Sequence, residues 1–171
     1  MDDSMDEKAV SESQVVLSQA MGIEDANLAG FVHGGVIMKL VDSAGGLAAI
    51  RHSRGPVVTA AIDEMSFIEP VQLYSLVTVQ ASVNYVGTTS MEVGVRVETE
   101  NIFTGERAHT SSAYLVFVAL DETTGKPRPV PRLIAETPEQ KRRMREAQIR
   151  REHRLARRQR IMAERASAGE Q

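Results

Sequence analysis

One stretch decides the fold of this chain: Asn27-Leu-Ala-Gly-Phe-Val-His33-Gly34-Gly35-Val-Ile-Met-Lys-Leu-Val-Asp42. It reads as a loop that ends in two glycines, followed by an apolar helix that carries one acid. Glycines at a helix start leave backbone N–H groups open to a ligand. Asp42 lies two turns into the helix, where its neighbours at three- and four-residue spacing, Met38, Gly45 and Gly46, are small or apolar. The pattern predicts a partly desolvated carboxylate beside a donor-rich helix end.

Each part of this stretch also has an ordinary structural interpretation. Two glycines before a helix often serve only tight chain geometry, and Asp42 could form a surface ion pair with Lys39 one turn back. His33 alone is more often a packed or capping residue than a catalytic one. Together, the acid and the helix start suit attack on a carbonyl whose oxygen must be stabilised.

The chain on either side of this helix reads as strands. A wide apolar stripe predicts a largely buried helix over residues 34–51; its members are Val36, Ile37, Leu40, Val41, Ala44, Leu47 and Ala48. Alternation and β-branched runs predict strands over residues 14–21, 57–68, 75–86, 91–100 and 108–120. In the third of these strands, one face carries Val77, Val79, Ala81, Val83 and Tyr85. One helix among five strands joined mostly by tight turns predicts an α+β fold.

The end of the chain has a different composition. Residues 1–138 contain nine Lys/Arg and eighteen Asp/Glu, a net charge of −9, whereas residues 139–171 contain eleven and five, a net charge of +6. Thr137-Pro138-Glu139-Gln140 has the residues of a helix N-terminus, and a helix is expected to about residue 164. We expect this basic helix to pack on its own or a neighbouring subunit, with nucleic-acid binding as the lesser alternative.

Composition excludes several other kinds of protein. The 171 residues contain no cysteine, which rules out disulfides and thiol catalysis. The four histidines lack metal-ligand spacing, so no metal site is expected, and neither a Gly-x-Ser-x-Gly elbow nor a P-loop occurs. No apolar run is long enough to span a membrane. The acidic N-terminus is unlike a signal peptide, so we expect a cytoplasmic protein without membrane contact.

Five segments together resemble the hotdog-fold acyl-CoA thioesterases, in particular the brain-type cytosolic acyl-CoA hydrolases and their single-domain bacterial relatives. These segments are Asp25–Gly30, Val32–Asp42, Val57–Phe67, Val86–Val93 and Pro129–Leu133. The resemblance implies a hotdog fold, an antiparallel sheet wrapped around one long central helix, here with a C-terminal helical tail. Together with the composition of the two ends, it suggests a disordered N-terminus over residues 1–12, a thioesterase domain over 13–133 and a basic tail over 134–171.

The same resemblance implies a catalytic pair. In this family an acid on the central helix works with an asparagine on the preceding loop of another hotdog unit, which corresponds to Asp42 and Asn27. Asp42 would activate water or attack directly, and the sequence leaves both routes open. Asn27 would orient water or the thioester, although a turn role in Asp-Ala-Asn is an alternative. His33, Gly34 and Gly35 would bind the substrate and its developing oxyanion.

The resemblance also concerns coenzyme A and assembly. Gly87, Thr88, Thr89 and Ser90 match a turn that meets CoA in the family. Many relatives have a basic residue where this chain has Thr88, so a charged phosphate contact is not expected there, and a plain hairpin turn is equally consistent. No cofactor is expected beyond CoA itself, which belongs to the substrate and product. A homo-oligomer follows from the shared site, with a dimer as the active unit and a trimer of dimers as the expected assembly.

The predicted function is hydrolysis of fatty acyl-CoA to free fatty acid and CoA. One alternative is a non-catalytic hotdog module that senses acyl-CoA and uses its basic tail on nucleic acid. Asp42 and Asn27 favour the enzyme, because a module that only binds has no need of a base beside the thioester. Another alternative is a hotdog hydratase or dehydratase, which would want a different acid–histidine arrangement and for which His33 is the available histidine.

Overall fold

A computed structural model describes residues 7–168 of the chain. In chain order, the first part contains β1 (Glu7–Ala9), the helical turn α1 (Val10–Ser13), β2 (Val15–Ala20) and the central helix α2 (Gly34–Ser53). The strands β3 (Val57–Phe67), β4 (Leu76–Val86), β5 (Ser90–Glu100) and β6 (Arg107–Ala119) follow. The chain then forms β7 (Arg132–Ile134) and the long helix α3 (Pro138–Ala168).

Five strands form one antiparallel sheet in the order β2-β4-β5-β6-β3, and α2 packs across one of its faces. We call this the inner face; the opposite, outer face carries the first half of α3. The predicted α+β hotdog architecture is therefore confirmed. The predicted helix over residues 34–51 and all five predicted strands are present, with ends that agree within two residues.

The core lies between α2 and the inner face. Alternate residues of β4, β5 and β6 supply the apolar layer, as the period of two requires; the fully buried members include Val77, Val79, Val83, Met91, Val93, Val97, Leu115 and Phe117. Helix α2 approaches this layer closely at Gly45, where a Cβ atom would lie 3.1 Å from the Phe117 ring. Small residues at that point let the helix pack against a large aromatic side chain.

Two details of the predicted packing are wrong. Leu47 belongs to the predicted buried stripe but is 43% exposed, because α2 turns its small residues Ala44, Gly45, Ala48 and Ala49 toward the sheet. The helix is therefore covered on one side only. Tyr85 does not share the face of Val83, since an irregularity between them shifts the register and pairs Tyr85 with Glu92.

The two ends of the domain meet in a small parallel pair that the sequence pattern did not indicate. β1 pairs with β7 along three residues of each strand. The disordered N-terminus predicted over residues 1–12 overlaps this pair. Residues 7–12 belong to β1 and α1, whereas residues 1–6 lie outside the described residues.

Helix α3 begins as the sequence predicts. Gln140 donates its N–H to the Thr137 hydroxyl, while the Gln140 side chain accepts from the Thr137 N–H, which closes a reciprocal cap. The helix then packs on the outer face through the buried Ala147 and through Arg150. The Arg150 guanidinium lies 3.6 Å from the centroid of the Tyr114 ring and donates to Glu92 at 2.7 Å. Arg154 forms an ion pair with Asp63 on β3.

The Arg150–Glu92 pair should hold α3 on the sheet. The Glu92 side chain is 3% exposed, so Arg150→Met leaves a buried carboxylate without its partner. Removing one member of a buried pair typically costs about 3–5 kcal/mol, and we expect a loss toward the lower end because Arg150 is partly exposed. The measurement is the free energy of unfolding in urea. Arg142→Met, which removes an exposed arginine of the same helix, is the control.

The double variant Arg150→Met/Glu92→Gln separates the pair from simple packing. It should recover part of the loss, since the neutral amide has a smaller desolvation cost than the carboxylate. Strictly additive losses in this cycle would contradict a coupled pair.

A buried histidine makes the stability of the fold depend on pH. His52 is fully buried at the end of α2, and its Nε2 lies 3.0 Å from the Pro131 carbonyl oxygen. Burial lowers the pKa of His52; the contact with Pro131 opposes this shift. Below the ordinary histidine pKa of about 6.5 the unfolded chain therefore binds a proton that the folded chain resists.

We therefore expect the free energy of unfolding to fall as the pH drops from about 6.5 toward the lower folded-state pKa of His52. His52→Gln keeps a hydrogen-bonding amide but does not titrate, so its urea midpoint should change less over the same interval. The control is His153→Gln, which removes an exposed histidine of α3. Parallel pH profiles for the wild type and His52→Gln would contradict this account.

Candidate active site

Asp42 lies at the flank of α2, between the residues that face the sheet and those that are exposed. Its side chain is half-buried, and Met38 and Ile50 on the same side of the helix are exposed. The Thr59 hydroxyl of β3 donates a hydrogen bond of 2.7 Å to Asp42 Oδ1. Within the described part of the chain Asp42 forms no ion pair, so the alternative pair with Lys39 is not formed. One carboxylate oxygen is thus held by a neutral donor.

Thr59 is a site residue that the sequence interpretation missed. It stands in the apolar run Val57–Ile62, where a hydroxyl among β-branched and small residues is the only local signal. The strand register shifts between Thr59 and Ala61, and such irregularities re-aim side chains at functional positions. The contact between Thr59 and Asp42 joins two elements, so no local pattern reveals it.

The start of α2 offers one open backbone donor. His33 occupies the N-cap position, and its Nδ1 accepts the N–H of Gly35 at 2.9 Å. That geometry requires the ring proton to be on Nε2. The Gly34 N–H has no acceptor among residues 7–168, as expected for the first residue of a helix. Of the two predicted oxyanion donors, therefore, Gly34 is open and Gly35 is occupied by the predicted site residue His33.

Gly35 at the start of α2 and Asp42 lie on the same side of the helix. Seven residues separate Gly35 from Asp42, which is nearly two full turns and about 10 Å along the axis. Side chains on a helix lean toward its N-terminus, so the Asp42 carboxylate leans toward Gly35. With this arrangement, a carbonyl group and the oxygen atom that attacks it can lie between the Asp42 carboxylate and the N–H groups at the start of the helix.

Asn27 is engaged in its own loop. Its Oδ1 accepts the N–H groups of Ala29 at 2.9 Å and Phe31 at 3.2 Å, the arrangement of a side-chain-stabilised turn. No hydrogen bond joins Asn27 to Asp42 within the described chain. Because the side-chain oxygen is used, the Nδ2 amide is the part of Asn27 that remains able to donate.

The turn Gly87–Ser90 joins β4 to β5 at the end of the sheet where β3 begins. Ala119 donates its N–H to the Thr89 carbonyl at 2.9 Å, and Val130 donates to that of Thr88 at 3.1 Å. The hydroxyls of Thr88, Thr89 and Ser90 have no hydrogen bonds with residues 7–168. One chain thus brings Asp42 and Thr59 together, whereas no hydrogen bond among residues 7–168 joins Asp42 to Asn27 or to this turn.

Among residues 7–168, no three or more His, Asp or Glu side chains come together in a way that would hold a metal ion. None of the helices in this part of the chain is both long and apolar enough to cross a membrane.

Comparisons with known proteins agree with this fold. The model of the thioesterase superfamily matches residues 29–104. The chain is 40% identical over 129 residues to YkhA of Bacillus subtilis, described as an uncharacterized acyl-CoA thioester hydrolase, and the match covers 75% of this chain and 74% of YkhA. It is 37% identical over 139 residues to the mouse cytosolic acyl coenzyme A thioester hydrolase, covering 80% of this chain but 36% of that longer protein.

Solved structures extend the match over nearly the whole chain. A hexameric acyl-CoA thioesterase in its apo form superposes with a TM-score of 0.86 at 36% identity, covering 89% of this chain and 97% of the other. The acyl-CoA hydrolase of Staphylococcus aureus, solved with butyryl coenzyme A, coenzyme A and coenzyme A disulfide, gives 0.84 at 32% identity, covering 94% and 96%. The chain therefore belongs to the hotdog-fold acyl-CoA thioester hydrolases of the thioesterase superfamily.

Variants of the Staphylococcus aureus enzyme have been solved with an asparagine, an aspartate or a threonine replaced by alanine. These are the residue types of Asn27, Asp42 and Thr59.

Proposed function

We propose that this protein hydrolyses fatty acyl-CoA to a free fatty acid and CoA, with Asp42 as the reacting carboxylate. The observation that carries the proposal is the hydrogen bond from Thr59 of β3 to Asp42 at the flank of α2. Membership of the family and the CoA ligands of the Staphylococcus aureus relative support the substrate class. The chain would need no cofactor, since CoA enters with the substrate and leaves with the product.

The geometry gives Asp42 two oxygens with different environments. Oδ1 is held by Thr59, which leaves Oδ2 to face the thioester or a water. As a general base, Oδ2 takes a proton from water while the water oxygen bonds to the carbonyl carbon. The C–S bond then breaks and the thiolate receives the proton. As a nucleophile, Oδ2 forms an anhydride with the acyl group, CoA leaves, and water hydrolyses the anhydride.

The start of α2 would stabilise the carbonyl oxygen as negative charge develops on it. The Gly34 N–H is the open donor, and Gly35 becomes a second one if the His33 ring turns away from it. One such donor can contribute about 3–4 kcal/mol to the transition state. This use of His33 as a cap on its own helix argues against the alternative of a hydratase in which it transfers protons.

Asn27 would complete the site from a neighbouring subunit. In the Staphylococcus aureus hydrolase, the substituted asparagine, aspartate and threonine carry numbers one higher than Asn27, Asp42 and Thr59, so the spacing of the three is the same. Since no hydrogen bond joins Asn27 to Asp42 among residues 7–168, a second copy is the source of the amide in this proposal. The free Nδ2 group would then donate to the thioester oxygen or the attacking water.

Exposed apolar surface around the site supports a homo-oligomer. β3 is an eleven-residue strand at the edge of the sheet, and one of its sides has no pairing partner among residues 7–168. Ile62 and Phe67 of β3 and Leu47 of α2 are exposed on the inner side. A long apolar edge strand of this kind invites pairing with another chain. We propose an antiparallel β3–β3 dimer as the active unit and three such dimers in a hexamer; the solved relatives described as hexameric support the number of subunits.

The turn Gly87–Ser90 and the known relatives give the proposal its CoA-binding surface and its cellular compartment. The unbonded hydroxyls of Thr88, Thr89 and Ser90, with Gly87 at the start of the turn, would meet the CoA portion. The mammalian relatives are cytosolic, and we propose the same compartment here. The alternative, a module that only binds acyl-CoA, does not explain why a carboxylate is held by Thr59 beside the start of α2.

Substitutions at the carboxylate and its donor test the mechanism. Asp42→Asn should lower kcat at least 10²-fold, the usual scale for loss of a base, while the far-UV circular dichroism stays unchanged. Thr59→Ala should lower kcat about tenfold, because a hydrogen bond to a charged group contributes ~1.5–3 kcal/mol. Thr59→Ser keeps the hydroxyl and should retain most of the activity. Thiol release from acyl-CoA of several chain lengths is the assay, and near-normal turnover by Asp42→Asn rules out the assignment.

Subunit mixing tests whether the site is shared. Asp42→Asn and Asn27→Ala chains should each be inactive alone, yet a heterodimer regains one site with both residues intact. In an equal mixture about a quarter of the sites are restored, so thiol release should reappear once native mass spectrometry shows exchange. Failure to restore activity after demonstrated exchange places both residues of a site in one chain.

A further inference from the structure

Helix α3 crosses the outer face of the sheet from one strand to the next. Near its start, Glu139 and Glu146 line a cleft with Gln80 and Ser82 of β4. Further along, Arg150 bonds to Glu92 of β5, and Arg154 pairs with Asp63 of β3. Since β3 is the last strand of the sheet, the helix reaches the edge of its own domain at Arg154.

The helix continues well past that edge. From Arg142 to Arg154 it advances about 18 Å, while three strand spacings amount to about 14 Å, so it runs largely across the strands. Residues 155–168, which we call the distal section, add about 21 Å in the same direction. This length is enough to cover roughly three more strands.

The side of α3 that faces the sheet continues into the distal section with apolar and basic residues. Ala147, Arg150 and Arg154 face the domain, and Arg157, Ile161 and Arg165 follow at the same helical spacing. Ile161 is 46% exposed and the adjacent Met162 is 59% exposed. Every residue from 155 to 167 is exposed, so this stripe has no cover from its own domain.

The outer side of β3 has complementary residues. Val58 pairs in register with Val118 and Glu64 with Tyr114, which places both on the outer face. Val58 is 47% exposed, and the exposed Glu64 carboxylate forms no ion pair within the described residues. The distal section carries four arginines and one glutamate, against a domain with a net charge of −9.

We propose that the distal section of α3 lies on the outer face of the sheet of a second copy of this chain. Ile161 and Met162 pack near Val58 of the second copy, and the arginines face its Glu64. This inference rests on the proposed β3–β3 pairing, because only that arrangement extends the sheet beneath the helix. By two-fold symmetry the second copy returns the same contact, so each dimer gains two helical clamps.

The composition of the distal section favours this occupant over nucleic acid. No aromatic residue lies in the distal section, which removes base stacking as a source of affinity. The apolar pair Ile161 and Met162 on the sheet-facing side also suits a protein surface better than a phosphate backbone.

Single cysteines test the contact directly, because the chain has none of its own. Bimane attached at Ile161→Cys should be at least fivefold less accessible to iodide quenching than bimane at Gln159→Cys, which lies on the opposite side of the helix. Dilution below the dissociation constant should abolish the difference. Equal quenching at both positions in the assembled protein overturns the proposal, and protection that persists in the monomer overturns it by placing the section on its own domain.

Subunit mixing identifies the surface that protects the label. With excess unlabelled chains truncated after Arg154, protection at position 161 should persist, since their sheets are intact. With excess Val58→Asp/Glu64→Lys chains it should be lost. Loss with truncated chains would overturn the proposal, because it would assign the contact to the distal section of the second copy. Glu106→Lys, a charge reversal in the exposed β5–β6 turn, is the matched control.

Truncation measures the contribution of the clamp to assembly. Removing residues 155–171 should raise the dimer dissociation constant at least tenfold in sedimentation, while thiol release persists at protein concentrations above that constant. An unchanged constant together with lost binding to a DNA duplex in a gel-shift assay overturns the clamp in favour of nucleic acid. Inactivity of the wild-type protein toward acyl-CoA tests the proposed function separately, because the quenching, sedimentation and gel-shift measurements do not depend on turnover.

Discussion

The close packing of α2 against Phe117 is the constraint on which the rest of the structure depends. Gly45 and the neighbouring alanines bring the helix axis near the sheet, and this orientation fixes where the other residues of the helix lie. Asp42 comes to lie at the flank of the helix, within reach of β3 and beside the exposed Met38. A bulkier residue at Gly45 would have to displace the Phe117 ring, and any rotation of the helix would move Asp42 away from Thr59. The packing of the buried side of α2 therefore determines the position of the candidate catalytic carboxylate.

The edge strand β3 has two roles that are linked by geometry. Its inner side supplies Thr59 to the carboxylate, and its unpaired edge is available to another chain. Irregular register at Thr59 and again after Ile62 shows that this strand is not a uniform ladder. A strand that both completes a site and ends the sheet couples assembly to catalysis, since displacement of the edge would also displace the donor. The proposed sharing of Asn27 between subunits has the same consequence.

Ion pairs hold helix α3 on the outer face of the sheet. A net-positive helix covers the outer face of a net-negative domain, but the strong contacts are few: the buried Glu92 with Arg150, and Asp63 with Arg154. The many exposed pairs along α3 contribute little individually, about 0–1 kcal/mol each. The first half of the helix is thus fixed by two partly buried ion pairs, which set the direction in which its second half leaves the domain.

The sequence by itself determined the elements whose causes are local. The Gly-Gly start of α2, the alternation of the strands and the cap formed by Thr137 and Gln140 depend on neighbours a few residues away, and all were predictable. The resemblance to a family added the hotdog arrangement and the choice of Asp42. Local signals also explain why the predicted ends of the elements agree closely with the structure.

Only the tertiary structure decided which groups meet. Thr59 of β3 bonds to Asp42 of α2, and β1 pairs with β7, which lies more than 120 residues later in the chain. Leu47 is exposed because the smaller residues of α2 face the sheet. Tyr85 does not share the face of Val83, because the strand register shifts between them, and the alternation of the sequence does not reveal that shift. These outcomes depend on side-chain volumes and strand register brought together over long separations, whereas a sequence pattern records only the immediate surroundings of each residue.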